Sequence, residues 1–172
     1  MKKGEIRIFI VIISLVLSLA ALITGFNLYT TYGVKTPVIK ELEKWPEVEQ
    51  VKIKKYRPYQ VMVKLKEVEN LMAVYRAVTA QLDDKLGSGK YVLLIEDNRD
   101  FGLENAYYRL GPAVYEAVEK GNYTWLESYI AKSLNDKDLS YKMFVDENYL
   151  YLQIKGEKGH YLYAVIRRQN EL

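Results

Sequence analysis

The sequence has no cysteine and a single histidine, His160, among 172 residues. These absences exclude a disulfide framework, a lipoprotein anchor, cysteine nucleophiles and a zinc site of ordinary composition. His160 follows Gly159 at the start of a strand and reads as a turn-flanking residue rather than a proton shuttle. Excess charge is also missing: the net value is +3, and much of it lies in Lys2, Lys3 and Arg7 against Glu5, so no global field draws nucleic acid. A phosphate loop is absent as well. Gly89-Lys90 has Asp84 where that motif needs glycine and Tyr91 where it needs Ser or Thr. No cofactor is implied.

What the sequence does have is one long uncharged run, Ile8 to Leu28. As a helix it measures about 31 Å, against a hydrocarbon core of about 30 Å. The basic residues before it predict a cytoplasmic tail over 1–7 and a single transmembrane helix over 8–30, with Tyr29 and Tyr32 at the far interface. A cleaved signal peptide competes through the small pair Ser18 and Ala20. Cleavage there would leave Ala21-Leu22-Ile23 and Phe26 as an apolar stub, which favours an uncleaved signal anchor. Ser14, Ser18, Ala21 and Gly25 fall on one helical stripe that admits a second helix, so a homo-oligomer through the span competes with a span facing only lipid.

Residues 31–47 form a juxtamembrane spacer. Thr36-Pro37 predicts a cap and first turn of a short helix that runs to Trp45 and is closed by Pro46. The remaining residues, 48–172, suffice for one extracytoplasmic domain.

That domain opens with two alternating runs around Arg57-Pro58, predicted as a hairpin. Lys52, Lys54, Lys64 and Lys66 share its outward side, with Arg57 near the turn. Like charges across neighbouring strands repel, so this side wants anions: carboxylates of the fold, lipid headgroups or a wall polymer. A solvated basic edge that discourages aggregation is the plainer reading.

Leu71, Tyr75, Val78, Leu82 and Leu86 predict a helix that starts at Asn70 and packs on the sheet. Tyr91 to Ile95 is a continuous apolar run, expected of a central strand buried on both faces. The polar loop after it runs Glu96-Asp97-Asn98-Arg99-Asp100, and Glu96, Asp97 and Asp100 with Glu104 offer oxygen ligands to a hard cation or to sugar hydroxyls. It lacks the spacing of a calcium hand, and Asp and Asn equally serve turns and helix caps. Leu103, Tyr107, Leu110, Val114 and Val118 mark another helix that Gly111-Pro112 should kink or split. Gly121 ends it, and Thr124 to Glu127 reads as a capping box for a third helix.

Three strands close the chain as a meander. The predicted order is ββαβααβββ, an α+β domain with one mixed sheet covered by helices. Sixteen tyrosines are explained by strand propensity, though a tyrosine-rich face also suits sugars or a protein interface.

Three functions follow. The first is a non-catalytic membrane-anchored protein whose outer domain binds another membrane or envelope protein. The second is a module that binds an anionic envelope ligand through the hairpin lysines. The third, a carboxylate-based hydrolase, needs Glu96 or Asp100 for turnover. The layout resembles the bitopic envelope proteins of Gram-positive bacteria, a likeness of organisation that transfers no site residue.

Overall fold

The structure, a computed structural model, describes residues 3–29, 33, 35–54, 58–135 and 138–168. The chain divides into two units, Met1–Glu41 and Leu42–Leu172. In the first, helix α1 (Lys3–Leu28) contains the stretch Ile8–Phe26, exposed along its whole length. Among the described residues it is the one helix long and apolar enough to cross a membrane. A run of bare Ile, Leu and Val is costly in water and favourable in lipid, where a helix satisfies its own backbone.

Helix α2 (Thr36–Leu42) is shorter than its sequence predicts, and Thr36 lies inside it rather than flanking it. Two turns follow, with Trp45 N–H donating to Leu42 O (3.0 Å) and Val48 N–H to Trp45 O (3.1 Å). Pro46 disfavours helical geometry in the residue before it, which ends the helix upstream of Trp45.

The second unit contains strands β1 (Val48–Lys54) and β2 (Tyr59–Leu65), helix α3 (Leu71–Leu86), strand β3 (Tyr91–Glu96), helices α4 (Phe101–Lys120) and α5 (Tyr123–Leu134), and strands β4 (Ser140–Val145), β5 (Tyr149–Lys155) and β6 (Tyr161–Arg167). It is an α+β fold with two sheets in place of the single sheet predicted. The first has order β1-β2-β3, antiparallel then parallel; the second, β4-β5-β6, is antiparallel throughout.

β3 is therefore an edge strand and not a central one. Val92 and Leu94 remain 45% and 42% exposed, on the sheet face opposite α3. The sheets meet at a single bridge, Asn98 with Tyr161, because side chains of the β3–α4 loop occupy the β6 edge where a ladder would otherwise begin.

Helix α3 lies against one face of both sheets. All five stripe residues, Leu71, Tyr75, Val78, Leu82 and Leu86, are buried, and Asn70 caps the helix by accepting Ala73 N–H at 3.0 Å. The other face of the second sheet is covered by α4 and α5, whose Leu103, Leu110, Val114, Leu126 and Ile130 share a core with Leu150, Leu152, Ile154 and Leu162. Each such side chain contributes about 1.5–3 kcal/mol by leaving water.

Pro112 sits inside α4 without dividing it, and Gly121 closes the helix in the left-handed region (φ 64°). The predicted capping box is not formed. Only Gly121 and Asn122 separate the two helices, so α5 begins at Tyr123 and Thr124 already lies in its first turn.

Candidate functional site

The hairpin register keeps Lys52, Lys54 and Lys64 on one face but places Lys52 opposite Met62, Lys54 opposite Gln60 and Lys64 opposite Gln50, so none of these lysines directly faces another. Lys64 is taken by Glu49 at 2.8 Å, and this hydrogen bond holds its ammonium above the ordinary lysine range. Lys52, Lys54 and Lys66 are exposed and form no ion pair among the described residues. Arg57 and Tyr32 lie outside the described residues.

On α1, Ser18, Ala21 and Gly25 line a shallow groove with Phe26 and Tyr29, while the Ser14 hydroxyl donates to Val11 O at 2.9 Å. Tyr29 is exposed.

The polar loop is built into the fold. Asp100 Oδ1 accepts Leu103 N–H at 2.8 Å and caps α4. Asp97, only 4% exposed at its side chain, holds the Arg99 guanidinium through both carboxylate oxygens (2.8 and 2.6 Å) and accepts Tyr163 N–H at 2.7 Å. Arg99 in turn donates to Tyr163 O at 3.4 Å. Glu96 stands beside Lys64 in the parallel register. His160 Nδ1 lies 3.0 Å from Asn98 O. Among the described residues no three His, Cys, Asp or Glu side chains converge as a metal site.

The tyrosines that sequence reading assigned to strand propensity do more specific tasks. Tyr161 donates to Leu65 O (2.9 Å), and Tyr163 donates to Lys66 O (2.9 Å) while accepting Val68 N–H (2.8 Å). With Gln153, which accepts Leu71 N–H (2.8 Å) and donates to Val68 O (2.9 Å), they fasten the β2–α3 connection to the second sheet.

Where β3 and β6 diverge, an open cleft of about 740 Å³ lies between the two sheets. Its floor is α3, through Tyr75, Thr79 and Asp83; its walls are β3 and the Tyr163–Arg167 part of β6, with Tyr107 of α4 also lining it. Tyr91 donates to Thr79 O (3.1 Å) and Asp83 Oδ1 (2.9 Å), and Tyr75 packs edge-on against Tyr149 with centroids 5.3 Å apart. The Thr79 hydroxyl is buried and has no hydrogen-bond partner.

Burial raises the hydroxyls of Tyr75, Tyr91 and Tyr163 well above the ordinary tyrosine value of about 10. At neutral pH they are protonated and uncharged, suited to hydrogen bonding and ring contact rather than to proton transfer. The sequence gives no sign of this cleft, since it arises from which strands fail to pair.

No protein family matches the chain, and comparison with curated proteins and with solved structures likewise gives no match.

Proposed function

We propose that this chain is a non-catalytic, membrane-anchored protein of the bacterial cell envelope whose outer domain binds a protein partner. In this reading α1 spans the membrane, residues 1–7 face the cytoplasm, and the unit from Leu42 onward lies outside. The observation that carries it is the cleft: about 740 Å³ open to solvent and lined by tyrosines and aliphatic strand residues, with the charged Asp83, Arg99 and Arg167 among them. Concave sites of this size that combine apolar walls with directed polar groups are where proteins hold ligands. Tyrosine supplies large contact area with a hydrogen-bonding tip at little entropic cost.

The test uses the full-length protein in its native membrane, with a photo-crosslinking amino acid at Tyr107 in the cleft or at Tyr115, which is 65% exposed outside the cleft-lining set. The expected result is a discrete adduct from position 107 that position 115 does not give. Equal adducts from both positions, or none from 107, would remove the cleft as the binding site.

An anionic-ligand reading is supported by a separate observation. Lys52 and Lys54 share the uncovered face of the first sheet with Met62, Val92 and Leu94, a mixture suited to headgroups and acyl boundary alike. Lys52→Glu with Lys54→Glu should then abolish salt-sensitive binding of the outer domain to vesicles containing phosphatidylglycerol.

A further inference from the structure

The cleft is bounded by the facing edges of two sheets, and the hydrogen-bond pattern shows which backbone groups point into it. Tyr59 N–H bonds Lys90 O. In a strand, N–H and C=O of one residue point to the same side and alternate along the chain. Residues 92, 94 and 96 of β3 thus face β2, and Tyr91, Leu93 and Ile95 turn their amides and carbonyls toward β6.

On β6, Arg168 N–H bonds Asn148 O next to β5, whereas Tyr161 N–H bonds Asn98 O and Tyr163 N–H bonds Asp97. By the same alternation Val165 and Arg167 turn their backbone groups toward β3. Near the bridge, Asn98, Asp97 and Arg99 occupy the β6 edge. Beyond it, among the described residues, no bridge joins β3 to β6.

Resting on the reading of this protein as one that binds a partner in the cleft, we infer that the occupant is an extended segment of another protein, inserted as a strand between β3 and β6. An unpaired strand edge templates a further strand. Here two edges converge on one space, and one strand satisfies both. The bridge between Asn98 and Tyr161 is antiparallel, so the inserted strand runs parallel to one neighbour and antiparallel to the other. Its reach along Tyr91, Leu93 and Ile95 calls for about five residues.

Side chains of one parity descend onto α3, where Tyr75, Tyr149 and the unpartnered Thr79 hydroxyl wait. Those of the other parity lie beside Val92, Leu94 and Tyr107. The fitting ligand is thus a strand-forming peptide whose side chains meet tyrosine and aliphatic surface together with the charged Asp83 and Arg167, and it has no proline, because every amide inside the cleft is needed as a donor.

The probe is a displayed library of random linear peptides, selected on the full-length protein in detergent or nanodiscs and competed with the Tyr107 crosslink. Selected peptides are then N-methylated one position at a time. Insertion between two edges makes consecutive amides sensitive, each methylation weakening binding by about tenfold. Addition to one edge makes only alternate amides sensitive, and a side-chain groove makes none; either result overturns the inference.

A second arm places the change on the protein. Val165→Pro deletes one cleft-facing donor without touching a bond to β5 and should weaken the peptide by about tenfold, while Val165→Ala stays within about twofold. Undiminished binding by Val165→Pro overturns insertion, and should that variant fail to fold, the methylation scan on the native protein decides alone. If no peptide is selected although Tyr107 still crosslinks a partner, strand insertion fails and the binding reading survives. A crosslink from Tyr107 to a second copy of this chain overturns the assignment to another protein.

Discussion

Asp97 accepts the amide of Tyr163 at 2.7 Å, replacing with a side-chain oxygen the carbonyl that a neighbouring strand would present. The same carboxylate anchors Arg99, which reaches the Tyr163 carbonyl. Asp97→Ala should cost about 3 kcal/mol in urea unfolding, since it leaves a strand amide unpaired and strips a partly buried guanidinium of its partner. Lys64→Ala, which breaks an exposed, solvent-screened pair with Glu49, should leave the urea midpoint almost unchanged in the same assay.

Gln153 is 8% exposed and satisfies two backbone groups of the β2–α3 connection. Gln153→Leu keeps the bulk but orphans Leu71 N–H and Val68 C=O. A loss of about 2–4 kcal/mol is expected from two buried groups left without partners. Amide exchange at Leu71 should accelerate more than at Val78 within the same helix.

The buried tyrosines set the alkaline limit of stability. Tyr75, Tyr91, Tyr151 and Tyr163 have folded-state pKa values raised above the unfolded value, chiefly by burial, with Asp146 adding to the shift at Tyr151 and Asp83 at Tyr91. A raised pKa means the stabilisation is complete below the unfolded value of about 10 and is lost as pH climbs toward the folded one. Ultraviolet titration should show the exposed tyrosines ionising first and these four only together with loss of the fold. Individual Phe substitutions should show which hydroxyls account for the delayed ionisation.

Pro112 is exposed within α4 and has no N–H for the carbonyl of Tyr108. The helix persists because Leu110, Ala113 and Val114 on either side are buried in the core. Pro112→Ala should raise stability by about 1 kcal/mol, the gain in helix propensity being partly offset by a freer unfolded chain. An unchanged or lowered denaturation midpoint would show that Pro112 sets a helix shape the core requires.

The elements with strong local signals were legible in the sequence. The α3 stripe from Leu71 to Leu86, its Asn70 cap and the Gly121 terminator all depend on residues a few positions apart, and each is found in the structure. Pairing between distant strands leaves no such local mark. The run Tyr91–Ile95 looks alike whether a strand has one neighbour or two, so the split into two sheets and the exposure of Val92 and Leu94 followed only from long-range register. The site shared this difficulty. Asp97 and Arg99 stood out as polar residues after a strand, but their task is set by Tyr163, and the cleft itself has no motif.

The break between β3 and β6 also bears on how the domain opens. Beyond the Asn98–Tyr161 bridge the halves are held by side-chain contacts and by α3, so they separate without loss of a ladder bond, whereas rupture within either sheet breaks several. The lowest-energy fluctuation should follow this seam. Native-state exchange should find the edge amides of Leu93 and Val165 unprotected and those of the central strands β2 and β5 slowest of all.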